Sequence, residues 1–360
     1  MPSENIKVLI PRLPGADALL PYLARIDSAR TYSNYGPLHR EFSTRLSQLA
    51  GAPGVTLTCN GTSAIELALR IRARPGRRYC LMPAFTFIAS AHAVCNAGLT
   101  PYLLDVSEQD MMLTPEIVEA ALPLLTEPPA AVLVVSAFGA PPDLIRWKAF
   151  EAKHEIPVVF DAAAAVTALN GVGAQPVCVS LHATKVVGIG EGGAIFSSDS
   201  DLIERTTAMT GFGFLGAERV SAIRGGNYRI SEYAAAIGMA VLDALPARLD
   251  ALRTLTNSYL ERLKTKNVRV QRGVGDEWVT MTFNVVVPPE ALQATLDRLD
   301  AQGVEWRRWW GLGCHRHPAF ADAPRCDMPT TEALAPRVIG LPFHDRLSEQ
   351  DLDRIADCLP

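Results

Sequence analysis

Between residues 55 and 196 the chain alternates short apolar runs with stretches of helical spacing. Strand-like runs stand at 55–59, 78–82, 100–106, 131–136 and 157–161, and another leads up to Lys185. Apolar residues recur three and four apart at 64–72, 115–125 and 143–154, which predicts helices between the strands. That order argues an α/β domain with a largely parallel sheet, whose ligands collect at the carboxyl ends of the strands. Helical spacing also marks 38–50, 201–208 and 234–242. Residues 1–30 are weakly patterned and interrupted by Pro11, Pro14 and Pro21.

A long amphipathic helix predicted over 246–266 divides the chain into a large domain, 1–245, and a smaller one, 246–360. Beyond it, 268–287 reads as two strands, and 289–302 and 348–359 as helices. This second part is a small α+β domain.

Chemistry concentrates at the predicted strand ends. The run Pro157-Val158-Val159-Phe160 closes on Asp161, and Val179-Ser180-Leu181-His182-Ala183-Thr184 closes on Lys185, with Val186 and Val187 after it. Desolvation favours the neutral amine of such a lysine, the form that attacks carbonyls and makes Schiff bases. Taken singly, Asp161 also reads as a helix cap and Lys185 as a snorkelling surface residue. Together they supply what a pyridoxal phosphate enzyme needs, a lysine for the aldehyde and an acid for the pyridine nitrogen. Asn60-Gly61-Thr62-Ser63 turns from a strand into a helix, where unpaired N–H groups and the helix dipole offer a phosphate seat. Asn60, Asp161, Ser180 and Lys185 all fall at or just past strand ends, so one site can gather them.

Composition narrows the class without choosing a reaction. The 360 residues are 48% hydrophobic and 20% charged, as in an ordinary globular protein, and the net charge of -4 gives no reason to expect nucleic acid or membrane binding. Seven cysteines, an odd number without a CxxC pair, suit free thiols in a reducing cytoplasm, and 1–7 is too polar for a signal peptide. His315 and His317 lack the partners a metal site requires, so no metal is expected.

Several of these segments resemble one family. SLHATK followed by EGGAIFSSD is similar to the S-F-H-x-T-K…G-E-G-G segment of the DegT/DnrJ/EryC1/StrS aminotransferases. Matches continue through T-Y-S-N-Y-G-P-L, N-G-T-S-A-I-E-L-A-L, P-A-F-T-F and N-Y-R-I-S-E, from about residue 32 to 341. The resemblance implies an aspartate-aminotransferase-like fold, pyridoxal phosphate fold type I, with a mostly parallel sheet in the large domain. It also implies pyridoxal 5'-phosphate held by Lys185 as a Schiff base and by Asp161 at the ring nitrogen. Thr62, Ser63 and Ser180 then belong to the phosphate and cofactor site, and Phe87 stacks on the ring.

By the same resemblance Asn227 reaches the cofactor phosphate of the neighbouring subunit, which implies a homodimer with sites built across a two-fold axis. Tyr35 lies at the mouth of the site. His182, Arg229, Trp309 and His315 complete the expected substrate contacts. The stretch Trp306-Arg307-Arg308-Trp309-Trp310 could stack a base and pair with a diphosphate, or could seal the interface between the domains.

The implied reaction moves an amino group from glutamate or glutamine to a nucleotide-linked keto-deoxysugar, an NDP-4-keto-6-deoxyhexose. Sibling sugar dehydratases carry histidine in place of the lysine, so Lys185 favours transamination. Ala164 stands where most relatives have glutamine or histidine, and Ala137-Phe138 also departs from the commoner pattern. Two alternatives therefore stay open: a non-nucleotide ketone such as a ketocyclitol as acceptor, and a regulatory relative that binds the cofactor without turnover.

Overall fold

The computed structural model describes residues 5–216 and 219–360; 1–4 of the polar opening segment lie outside the described residues. Seven strands form the main sheet: β1 (Gly54–Thr58), β2 (Tyr79–Pro83), β3 (Thr100–Leu104), β4 (Ala131–Val135), β5 (Val158–Asp161), β6 (Val177–Ser180) and β7 (Gly193–Ser197). They lie in the order β1-β7-β6-β5-β4-β2-β3. From β6 across to β3 every neighbouring pair is parallel, while β7 runs antiparallel to β6 and β1. The fold is α/β with a mostly parallel sheet, as the alternation of strands and helices predicts.

Helices cover both faces: α1 (Ala16–Ala29), α2 (Pro37–Leu49), α3 (Gly61–Arg72), α4 (Ala89–Asn96), α5 (Pro115–Ala121), α6 (Leu144–His154), α7 (Ser200–Thr210) and α8 (Glu232–Asp243). In β4, AVLVV is buried throughout, as a parallel strand between two helical layers must be. Its side chains alternate in destination. Val132 and Val134 join Phe42, Leu46 and Phe160 on one face, and Leu133 joins Ile65, Leu69 and Val159 on the other. Asn60, Thr114, Asp143, Asp199 and Ser231 each accept the backbone N–H three residues on, which fixes where five of these helices begin.

One expectation fails near the start of the chain. Pro21 does not break the weakly patterned segment but sits inside α1. Its missing N–H removes one helical hydrogen bond. Packing outweighs that loss: Ile26 is buried in the main core, with Tyr22 and Leu23 against it.

After α9 (Leu245–Leu263), a second sheet contains β8 (Arg269–Val270), β9 (Phe283–Val286) and β10 (Val338–Leu341), antiparallel in the order β10-β9-β8. Residues 268–287 thus yield one full strand and one of two residues, and β10 is a third strand that its short sequence did not announce. With α9, α10 (Leu292–Ala301) and α12 (Glu349–Asp357) the sheet encloses Tyr259, Phe283, Leu299, Ile339 and Ile355, while α11 (Pro329–Leu334) packs Leu334 with Phe85 and Val106 instead. Ile6 bridges to Val304 and joins this core, so both ends of the chain contribute to it. Conversely, Cys314, Phe320 and Met328 pack with Met82 and Leu103 against the main sheet. Among the described residues no helix is long and apolar enough to cross a membrane.

Candidate active site

Parallel strands β4, β5 and β6 end side by side, and the register pairs Val135 with Asp161 and Asp161 with Cys178. Asp161 is the last residue of β5 and is only 5% exposed. Its Oδ2 accepts a hydrogen bond from Ser90 Oγ at 2.6 Å, and its Oδ1 accepts one from the Ala163 N–H at 3.2 Å. Burial pushes the Asp161 carboxyl above the usual carboxylate range, against the opposing pull of these bonds and of the Lys185 charge.

Lys185 follows β6 in a loop that folds back on itself. Leu181 N–H donates to Gly192 O at 2.8 Å and Ala183 N–H to Gly190 O at 2.7 Å, while Val186, Val187 and Ile189 are buried in the main core. These anchors hold the amine within reach of the Asp161 field. Burial lowers the Lys185 proton affinity, and the Asp161 carboxylate partly restores it. The pair is therefore a desolvated amine facing a desolvated acid.

At the end of β1 the chain turns into α3 through Asn60, whose side chain accepts the Ser63 N–H at 2.8 Å. The cap is therefore Asn60, which leaves the Thr62 and Ser63 hydroxyls for other partners. Gly61 is required by close approach: a Cβ there would stand 2.9 Å from the Cβ of Ser180. The α3 amino terminus thus sits on the end of β6, with Thr62, Ser63 and Ser180 together. Ser180 Oγ also accepts the His182 N–H at 3.2 Å.

Phe87 lies in the loop after β2, and 54% of it is exposed, unusual for a phenylalanine so close to buried chemistry. The same loop carries Thr86, which is hydrogen-bonded to Ser90 at 2.9 Å. Ser90 was not among the sequence candidates. Its one signal is its spacing, four residues after Thr86 at the start of a helix.

Asn227, Arg229 and Tyr35 form a neighbouring group. Asn227 is exposed, and its Oδ1 accepts from Arg229 Nε at 3.1 Å. Arg229 also donates to Asn34 Oδ1 at 2.6 Å. Tyr35 OH donates to Thr207 O at 3.1 Å and lies 2.8 Å from Thr210 Oγ1. Glu232, a second residue missed from sequence, joins these loops by accepting the Leu38 and His39 N–H groups.

The remaining candidates are more dispersed. His182 is bound within its own loop, with Nδ1 2.9 Å from Thr184 Oγ1. Trp309 lies against Gly340 of β10 under the Arg307 guanidinium, 5.4 Å from the ring centre. Its neighbour Trp310 stacks on Phe138 at 4.0 Å and meets Phe85 edge-on, in the cluster where these main-sheet loops meet Val286 and Val338 of the second sheet. His315 is 7% exposed with neither ring nitrogen hydrogen-bonded among the described residues, and burial lowers its proton affinity. Among the described residues no group of three or more His, Cys, Asp or Glu side chains could hold a metal.

Comparison with known proteins places this geometry. Residues 16–360 match the model of the DegT/DnrJ/EryC1/StrS aminotransferase family. Protein Rv3402c of Mycobacterium tuberculosis is 30% identical, over 98% of this chain and 89% of its own. A PLP-dependent aminotransferase from Bacillus cereus, described as putative, superposes with a TM-score of 0.90 at 29% identity and covers 99% of both chains. The structure of DesI in the presence of its TDP-sugar product gives a TM-score of 0.86 at 31% identity, over 99% of this chain and 92% of that one.

Proposed function

The chain belongs to the DegT/DnrJ/EryC1/StrS aminotransferase family, and on that premise we propose that it carries an amino group from glutamate or glutamine to a nucleotide-linked keto-deoxysugar, an NDP-4-keto-6-deoxyhexose. It is an aminotransferase, and its cofactor is pyridoxal phosphate. The acceptor reading draws on DesI, which was seen with a TDP-sugar product.

The residues fit the cofactor. Asp161 is a buried acid at a strand end, the α3 amino terminus offers N–H groups and two hydroxyls, and more than half of Phe87 is exposed. In this reading Asp161 holds the ring nitrogen, Thr62, Ser63 and Ser180 hold the phosphate, and Phe87 covers the ring. Bound there, pyridoxal phosphate supplies the electron sink that makes the bonds at the amino-bearing carbon labile.

Lys185 is the group that moves protons. Burial favours its neutral form, so Nζ would take the proton from the donor's amino-bearing carbon and pass it on to the former aldehyde carbon within the same half-reaction, and would run that transfer in reverse toward the acceptor's carbon. Asp161 would offer its carboxylate to the ring nitrogen, with Ser90 and the Ala163 N–H bonding one oxygen each and opposing the upward push of burial. Arg229, His182, Tyr35, Trp309 and His315 are assigned to the substrate side. Asn227, exposed on the protomer, is assigned to the partner's phosphate in a homodimer, with Phe212 and Phe214 exposed nearby. The seven free thiols suit a cytoplasmic enzyme.

Buried Asp161 at the end of β5, with the desolvated amine of Lys185 in the loop after β6 and within its field, carries this reading. An absorbance spectrum of the purified protein tests it. The wild type should show a visible band from lysine-bound cofactor that glutamate removes, and Lys185→Ala should lack it. Return of the band with keto sugar nucleotides, but not with a ketocyclitol, supports the acceptor class. The reverse preference overturns that class and leaves the chemistry standing.

A further inference from the structure

Asp161 is supported by a chain of two buried hydroxyls that its role as a bare counter-charge does not require. Ser90, 1% exposed, donates to Asp161 Oδ2 at 2.6 Å. Thr86, also 1% exposed, lies 2.9 Å from Ser90 Oγ. Ser90 occupies the first turn of α4, yet no side chain caps that helix, so the hydroxyl is not used there.

Each hydroxyl has one proton, which gives the chain a direction. While Asp161 is an anion it can only accept, so Ser90 donates to it and Thr86 donates to Ser90. Protonating Asp161 on Oδ2 would set a donor against the Ser90 proton, and protonating it on Oδ1 would set one against the Ala163 N–H. The arrangement therefore favours the anion, and each bond in the run polarises the next. Two other titratable groups face Asp161, both from the β6 side. Cys178 is fully buried and its thiol is pushed well above the ordinary range, so it stays neutral. Lys185 supplies a compensating charge, but in the loaded enzyme its nitrogen is committed to the aldehyde carbon. The hydroxyl pair is then the constant support.

We propose that Ser90, backed by Thr86, is a positioning residue that holds Asp161 as an oriented anion against the ring nitrogen of pyridoxal phosphate, and so sets the electron-withdrawing strength of the bound cofactor. The inference rests on the aminotransferase reading above. It predicts that the contribution of Ser90 passes through one atom of the cofactor.

That atom can be removed. Apoenzyme of the wild type, Ser90→Ala, Ser90→Thr and Thr86→Val is titrated with pyridoxal phosphate and with its 1-deaza analogue, in which C–H replaces the ring nitrogen. Ser90→Ala should weaken pyridoxal phosphate binding about tenfold, the equivalent of one pKa unit at Asp161, and change binding of the analogue by less than about threefold. Ser90→Thr should restore the wild-type constant, and Thr86→Val should show a smaller loss with the same selectivity. The acid limb of the holoenzyme's absorbance titration should move to higher pH in Ser90→Ala, because Asp161 loses a bond that favours its anion. Equal weakening of both compounds would reveal a packing role and overturn the proposal, as would no weakening of either. A wild-type protein that takes up neither compound overturns the cofactor reading itself, and the relay with it.

Discussion

Glu232 offers the most direct test of how the loops around the site are held. It opens α8 and is 1% exposed, yet both carboxylate oxygens are used. The Leu38 N–H donates to Oε2 at 2.8 Å and the His39 N–H to Oε1 at 2.7 Å. These are first-turn N–H groups of α2, which lack intrahelical partners and lie at the positive end of the helix dipole. Truncation by Glu232→Ala leaves both groups buried and unpaired. At about 1–3 kcal/mol for each orphaned donor the loss is about 2–6 kcal/mol. For a chain of this length that lowers the melting temperature by about 3–8 °C. The measurement is thermal unfolding followed by circular dichroism at fixed protomer concentration. A second variant reaches the same contact from the other side. Gly36→Ala would bring a Cβ 2.5 Å from Glu232 Cδ and should also destabilise, although the carboxylate remains. If Glu232→Ala melts within 1 °C of the wild type, as judged against that ~3 °C minimum, the clasp contributes nothing and the reasoning is refuted.

Three further outcomes are expected. Mixing Lys185→Ala with Asn227→Ala protomers, each inactive alone, should restore about a quarter of wild-type activity, since half of the dimers would hold one intact site; no recovery after verified subunit exchange refutes the contribution in trans. At Asn60, Asp keeps the cap and Ala removes it, so Asn60→Ala should cost about 1 kcal/mol of stability and Asn60→Asp little. Asn60→Asp should nevertheless weaken cofactor affinity by placing a carboxylate beside the phosphate seat, and equal affinities in titrations of the two apoenzymes would refute that seat. The third concerns His39, whose buried ring has its pKa lowered from 6.5 to about 4. The unfolded chain binds this proton first, so stability is lost as pH falls from about 6.5 toward 4, by about 3 kcal/mol in all. Urea unfolding of His39→Leu across that range should show a shallower acid slope, and an unchanged slope refutes the assignment.

What the sequence made legible was whatever depends on near neighbours. Asp161 and Lys185 stand out because each ends an apolar run, and the register of β5 against β6 then gives them a common edge. The Asn60 turn is likewise local, although the sequence alone could not say that Asn60 and not Thr62 or Ser63 caps α3. Glu232 is different, since its partners lie almost two hundred residues earlier and no spacing reveals them. Ser90 is hidden for the same reason: a serine early in a helix looks like ordinary capping until β5 places a carboxylate beside it. Among the tryptophans, 309 was expected to meet the substrate, whereas 310 had no role beyond its place in the same aromatic stretch. The fold separates them by giving one the bare backbone of Gly340 and the other the ring of Phe138. Pro21 shows the limit from the opposite side, because a strong local signal yielded to the packing of Ile26 and its neighbours. Which strand-end side chains share one edge was therefore readable in advance, whereas the residues that hold them in place are defined by contacts between distant segments. Their own types, serine, glutamate and glycine, are too common to announce them.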